Sequence, residues 1–274
     1  MKRLILSVLT LMCLAFSVCA QSTDVTVFAH RGCWSKNADG EFIIPENSVA
    51  AVKAARKSGY VGIECDVRYT KDGRMVVLHD NTLNRTVRKA SDYSKLDKPV
   101  KLSSLTFEEL RRDYVLESED PSLRTPVPTL EEILLECKRQ GMVPMLHSSV
   151  EESYRMAQKI FGNKWVCFTS DYEKLVKVRG YSDCMILYSV NAGPVEEVVQ
   201  KLSRLGGDCG ISSMKYNLYT AEFCKALTDA GYEVQASIFP ALEEEKALRN
   251  GITYILTDHR THTKKEKRRA KVSD

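Results

Sequence analysis

The stretch VGIECDVRYTKDGRMVVLHD, Val61 to Asp80, decides how many parallel strands this chain has, and through that number its fold. It reads as two strands folded back on each other around Asp72-Gly73, a dipeptide that readily takes positive φ in a tight hairpin. A two-residue loop there sets Asp66 opposite His79, with facing Cβ atoms about 4.5–5.5 Å apart. Side chains alternate along a strand, so Glu64 shares the face of Asp66 while Cys65 points the other way. Two carboxylates and an imidazole thus converge on one patch. Oxygen ligands at that spacing suit a hard cation such as Mg²⁺ or Ca²⁺, and the imidazole titrates near neutrality. A register slip of one residue would undo this geometry.

The second arm of the hairpin lies too close in sequence to the first to be its parallel neighbour, which needs a longer crossover. With that arm set aside, strand-like and helix-like segments alternate along the chain. Asp24–Ala29 is the first strand, and Pro45-Glu46-Asn47-Ser48 opens a helix with Val49, Val52 and Ala55 on its apolar face. Further strands are expected at Met142–His147, Trp165–Thr169, Cys184–Tyr188, Asp208–Ser212, Tyr232–Ser237 and Ile252–Thr257. Helices are expected at 129–140, 150–161, 171–179, 194–205, 218–230 and 241–250. Thr82 to Pro128, with prolines at 121, 126 and 128, reads as irregular apart from a short helix capped by Thr106-Phe107-Glu108-Glu109. Eight parallel strands alternating with helices predict an α/β chain of the (β/α)₈ TIM-type barrel class, with one extra hairpin strand after the second parallel strand. An open doubly wound sheet is the alternative.

Residues 1–20 read as a signal peptide. Lys2 and Arg3 precede an apolar run from Leu4 to Val18, and Ser17-Val18-Cys19-Ala20 offers small residues for cleavage. An exported protein, periplasmic or secreted, is therefore expected; a lipid anchor on Cys19 is the alternative. The run is too short for a comfortable membrane span, and no later stretch approaches one. The barrel is expected over residues 21–260 and a basic tail over 261–274. The chain carries a formal charge of +4, but Arg260 to Asp274 holds seven basic and two acidic residues, which leaves the body slightly acidic. That balance gives no reason to expect nucleic acid as a partner. Seven of the nine cysteines lie beyond residue 20, without CxxC spacing. Most sit in apolar strand-like runs and read as buried free thiols rather than zinc ligands.

In a barrel of this kind reacting groups collect at the C-terminal ends of the strands. Those ends offer His30-Arg31, the pair Glu64/Asp66 with His79 returned beside it, His147-Ser148 and Thr257-Asp258. Two imidazoles at a metal centre suit acid–base work, and a cation with Arg31 suits the negative charge of a phosphate ester. A glycosidase also uses two carboxylates, but Glu64 and Asp66, two apart on one strand, cannot easily flank a sugar bond.

His30-Arg31-Gly32, Pro45-Glu46-Asn47-Ser48, Glu64-Cys65-Asp66-Val67, Thr70-Lys71-Asp72-Gly73 and Val76-Val77-Leu78-His79-Asp80 stand in the order and spacing of the glycerophosphodiester phosphodiesterase family. Thr86, Pro128-Thr129-Leu130-Glu131-Glu132 and Thr257-Asp258 also resemble it. The resemblance is dense over residues 26–135 and thin afterwards. It implies a barrel that cleaves glycerophosphodiesters, or a related lipid headgroup, to glycerol phosphate and an alcohol. It further implies His30 and His79 as the acid–base pair, Glu64 and Asp66 as ligands of a divalent cation, Arg31 on the phosphate and Glu46 lining the site. A substrate hydroxyl would attack phosphorus first and water would open the resulting cyclic phosphate.

Two departures stand out. Where the family ends its third parallel strand with Glu-x-Lys, this chain has His147 and Ser149, and Gln235-Ala236-Ser237 stands where a tryptophan is common. An imidazole in place of a carboxylate weakens the hold on Ca²⁺ or Mg²⁺ and favours Mn or Zn, if His147 is a third ligand; otherwise it packs without touching metal. A barrel that binds phosphodiesters or glycans without cleaving them, and a relative that releases a cyclic phosphate from lysophospholipids, remain the alternative functions.

Overall fold

The computed structural model describes residues 25–191, 193–213, 219–237 and 250–258. The expected signal peptide, the basic tail and nearly all of the helix expected at 241–250 lie outside them.

Eight parallel strands close into a barrel in chain order: β1 (Thr26–Ala29), β4 (Gly62–Tyr69), β8 (Val143–His147), β9 (Val166–Thr169), β10 (Met185–Ser189), β11 (Cys209–Ser213), β12 (Glu233–Ser237) and β13 (Tyr254–Thr257). The ring is closed by β1, which pairs with β13 through Thr26 to Ala29 and with β4 through Phe28 and Ala29. The open-sheet alternative is thereby excluded. Alternation along the strands divides the core in two. Phe28, Met145, Val166, Phe168, Leu187 and Leu256 fill the barrel, while Cys65, Leu146, Cys167, Ile186, Ile211 and Ile255 face the helices outside. The barrel floor is tight: a Cβ on Gly62 would lie 2.2 Å from the Val143 carbonyl oxygen.

The helices follow the expected segments closely: α1 (Val49–Lys57), α2 (Phe107–Asp113), α3 (Leu130–Gln140), α4 (Glu151–Phe161), α5 (Tyr172–Arg179), α6 (Val195–Leu205) and α7 (Ala221–Asp229). Both Thr106 and Thr129 complete reciprocal capping boxes, with Glu109 and Glu132, each cap contributing about 1 kcal/mol. Gly141, at φ 65°, stops α3 in the left-handed conformation that glycine tolerates best. All seven cysteines in the described residues are buried and free.

Two expectations need correction. First, β5 (Met75–Val77) pairs with β4 one residue away from the expected register: Val67 faces Val77 and Tyr69 faces Met75, so Asp66 lies against Leu78, not His79. The cause is the turn. Thr70 N–H donates to the Arg74 carbonyl, enclosing the three residues Lys71-Asp72-Gly73, and of these only Gly73 has positive φ. This is a three-residue loop ending in a left-handed glycine. Asp72 is drawn outward, accepting from Thr70 Oγ1 (2.6 Å) and from the Phe107 N–H at the start of α2 (2.9 Å).

Second, two short ladders form outside the expected strands. One is β2 (Ser35–Lys36) with β3 (Phe42–Ile44), the other β6 (Val87–Lys89) with β7 (Tyr114–Leu116). Leu83, Val87, Leu102, Leu110, Leu116 and Val127 bury a second apolar cluster against Val76 and Leu78 of the hairpin. The irregular stretch is therefore a packed layer standing beside the barrel mouth.

Candidate active site

The mouth is built by three short loops that hold one another. His30, Arg31 and Gly32 follow β1. Gly32 has φ 76°, and a Cβ there would lie 2.7 Å from that of Ala51, so this turn tolerates only glycine against α1. Arg31 is itself left-handed, at φ 56°, as is Asn47 at φ 51°. Such backbone is costly away from glycine and persists where surrounding contacts fix it. Here the Asn47 N–H donates to the Arg31 carbonyl (2.8 Å), and the Arg31 N–H donates to Glu64 Oε2 (3.1 Å). Ser48 then caps α1, accepting from the Ala51 N–H at 3.0 Å.

Glu64 and Asp66 project from β4 to the same side and are almost fully buried, at 1% and 5% exposure. His147 ends β8 directly beside Asp66, its register partner, with Nδ1 3.2 Å from Asp66 Oδ1 and 3.8 Å from Glu64 Oε1. One donor atom from each of the three lies within 4.8 Å of the others. Burial, and then the charge of Asp66, push the Glu64 carboxyl well above the ordinary glutamate range. Burial also acts against Asp66, but the His147 hydrogen bond, attraction to His147 and His79, and the Asn47 amide (3.1 Å) outweigh it and bring the carboxyl down to about 2. Two buried acids and an imidazole, one acid driven toward its protonated form by crowding, are a donor set that a divalent cation fits: it would neutralise the charge that now repels.

Among the described residues, each of the other two histidines is held by an aspartate at Nδ1. His30 Nδ1 lies 2.9 Å from Asp258 Oδ1, which also accepts from Trp34 Nε1 at 3.0 Å. His79 Nδ1 lies 2.6 Å from Asp80 Oδ1. The corrected register places His79 beyond the end of β5, where the Arg68 guanidinium holds the Leu78 and His79 carbonyls. His79 therefore reaches Asp66's surroundings by leaving the ladder rather than by pairing across it. A chain of ion pairs joins the loops: Asp80 to Arg85 Nε (2.7 Å), Arg85 to both oxygens of Glu46 (2.7 Å each), Glu46 to Arg31 Nη1 (3.2 Å), and Arg31 Nε to Asp66 Oδ2 (3.6 Å).

All seven residues singled out in the sequence, His30, Arg31, Glu46, Glu64, Asp66, His79 and His147, thus belong to one connected mouth. A family model for glycerophosphoryl diester phosphodiesterases matches residues 30–202, which span His30 through His147. The chain belongs to that family. Glycerophosphodiester phosphodiesterase 1 of Mus musculus is 32% identical over 167 residues, 56% of this chain and 45% of that relative. Over a shorter stretch of 60 residues the glycerophosphodiester phosphodiesterase of Caldanaerobacter subterraneus is 53% identical, covering 22% of each. The chain thus spans less than half the length of these relatives. Among solved structures, an Oleispira antarctica phosphodiesterase in complex with the product sn-glycerol-3-phosphate superposes with TM-score 0.67 at 21% identity, over 91% of this chain and 97% of that one. That likeness bears on the barrel fold.

The sequence assigned no role to Asn47, Asp80, Arg85 or Asp258, nor to Trp34. Asp80 and Asp258 had a usable signal, an acid adjoining a histidine or ending a barrel strand. Arg85 lies in the stretch read as irregular and had none. Ser149 is exposed, and Gln235, fully buried, accepts from Ser212 Oγ (2.7 Å) inside the barrel.

Proposed function

We propose that this chain is a divalent-cation-dependent phosphodiesterase that hydrolyses glycerophosphodiesters to glycerol phosphate and an alcohol, at the mouth formed by His30, Arg31, Glu46, Glu64, Asp66, His79 and His147. The observation that carries the reading is the pair of imidazoles, each backed by an aspartate at Nδ1, at the same mouth as a buried acidic pair, which the ion-pair network joins to Asp80. With Nδ1 committed to Asp258 in one and Asp80 in the other, proton transfer falls to Nε2 in both. One ring takes the proton of the attacking hydroxyl; the other gives a proton to the departing alcohol. Arg31, anchored between Glu46 and Asp66, presents positive charge to a phosphate. Glu64, Asp66 and His147 would hold the cation, which when bound supplies further charge stabilisation at the phosphoryl oxygens. Imidazole as the third donor favours Mn²⁺ or Zn²⁺ relative to a site of three carboxylates, while the two oxygens keep Mg²⁺ and Ca²⁺ in play. Export directed by residues 1–20 would put this activity outside the cytoplasm, and no helix among the described residues is long and apolar enough to cross a membrane.

The test is turnover of glycerophosphodiesters by the purified protein before and after EDTA, alongside His30→Ala and His79→Ala. Loss in all three cases, with recovery of the wild type on adding a divalent ion, is expected. Phosphorus NMR of the product distinguishes a monoester from a retained cyclic phosphate. Binding of the diesters without cleavage by the wild type would replace hydrolysis with simple recognition.

A further inference from the structure

Trp34 follows the turn after His30, yet its indole returns to the aspartate that backs His30. Trp34 Nε1 donates to Asp258 Oδ1 at 3.0 Å, and His30 Nδ1 lies 2.9 Å from that same oxygen. An indole nitrogen can only donate, so a half-buried tryptophan needs an acceptor. A backbone carbonyl would serve; here the acceptor is the carboxylate paired with an imidazole of the mouth. Among the described residues these two donors are the ones that reach the Asp258 carboxylate, whose side chain is 23% exposed.

The backbone places His30 beside Asp258 but does not aim the carboxylate. Ala29 is the register partner of Thr257, and the His30 N–H donates to the Thr257 carbonyl at 3.0 Å, so the two residues leave adjacent strand ends together. An aspartate there, with two rotatable side-chain bonds and solvent at hand, can swing off the ring. The indole removes that freedom only if it is itself fixed, and it is. Its ring meets Phe42 edge-on, with centroids 5.9 Å apart, and Phe42 is fully buried. Phe42 lies on β3, the partner of β2, which begins at the residue after Trp34. The packed layer holds β3 in turn: the Glu119 N–H donates to the Phe42 carbonyl (2.7 Å) and Ser118 Oγ to the Ile43 carbonyl (2.8 Å). Building on the phosphodiesterase reading above, we infer that Trp34 is a positioning residue, which holds Asp258 against His30 and so keeps Nε2 of that ring turned to the substrate. The β2–β3 ladder then has a task of its own, as the support of the indole.

Trp34→Phe keeps a ring on Phe42 and removes the N–H. With glycerophosphocholine as probe, kcat should fall about five- to tenfold while KM stays within about twofold, as for one hydrogen bond to a charged group partly replaced by water. In an Asp258→Ala background the same substitution should cost no further activity, because the indole then has nothing to hold. NMR gives a reading that needs no turnover. The chain has two tryptophans, Trp34 and Trp165, and the indole N–H signal absent from Trp34→Phe belongs to Trp34. That signal should move upfield in Asp258→Ala, in which Trp34 is untouched, so the test stands even if Trp34→Phe does not fold. An unmoved signal, an unchanged kcat in Trp34→Phe, a rise in KM alone, or the same loss in both backgrounds would overturn the inference. An upfield shift with no diester turned over by the wild type would refute the phosphodiesterase reading and uphold the contact of Trp34 with Asp258.

Discussion

Replacing Glu64 by Gln tests the electrostatics of the mouth in two directions at once. Glu64 is 1% exposed and its carboxyl is pushed well above the ordinary glutamate value by burial and by Asp66. Between the ordinary glutamate value and the raised one, the folded protein without cation holds a proton that the unfolded chain has released. That contribution is complete below the ordinary glutamate value and is lost as pH rises toward the raised one. In Glu64→Gln this slope disappears, so the cation-free variant should melt higher than the cation-free wild type at pH 8, and the gap should narrow toward pH 4. With cation the order changes. Removing one anionic ligand should weaken binding by about 10–100-fold, or about 1.4–2.8 kcal/mol at saturating cation. For a chain of this size that is about 3–11 °C of cation-dependent stabilisation. Scanning fluorimetry with EDTA and with each of Mg²⁺, Ca²⁺ and Mn²⁺ reads both effects. The reasoning fails if the variant keeps the wild-type cation shift, or if removing the carboxylate lowers the cation-free melting temperature at pH 8.

Asp258→Asn keeps the shape but removes the charge that faces His30 Nδ1; kcat should fall by about 10²-fold or more with little change in KM, and an unchanged kcat would remove Asp258 from His30's support. Gly32→Ala forces a side chain into left-handed backbone and against Ala51, so urea melts should show a loss of about 2–4 kcal/mol, and a midpoint equal to the wild type's would contradict the close approach. His147→Glu supplies a third carboxylate. Calorimetry should then show Ca²⁺ and Mg²⁺ gaining on Zn²⁺ by about tenfold in relative affinity, and an unaltered order would place His147 away from the cation.

The barrel was legible because short, near-continuous apolar runs such as VCFT and MILYS alternate with helices whose caps the sequence marks well, as with Thr129 and Glu132 at the start of α3 and Gly141 at its end. The acidic pair was legible for a simpler reason, since Glu64 and Asp66 are two apart on one strand. The hairpin register was not. Asp72-Gly73 resembles a two-residue turn, but the acid is recruited by Thr70 and by the N-terminus of α2, a contact 35 residues away in sequence. The layer between Thr82 and Pro128 escaped for the same reason. Its ladder joins Val87–Lys89 to Tyr114–Leu116, and no local turn announces a pairing across so long a loop. Arg85, which links Asp80 to Glu46, was hidden with it. Partners of this kind are fixed by tertiary packing, whereas strand faces and helix caps are fixed within a few residues.

The most direct measurement is a Mn²⁺-soaked crystal structure with anomalous diffraction. One strong peak within about 2.5 Å of a Glu64 oxygen, an Asp66 oxygen and a His147 ring nitrogen is the predicted result. A peak elsewhere in the barrel, or none at saturating Mn²⁺ with His147 still hydrogen-bonded to Asp66, would contradict a cation-dependent site at this mouth.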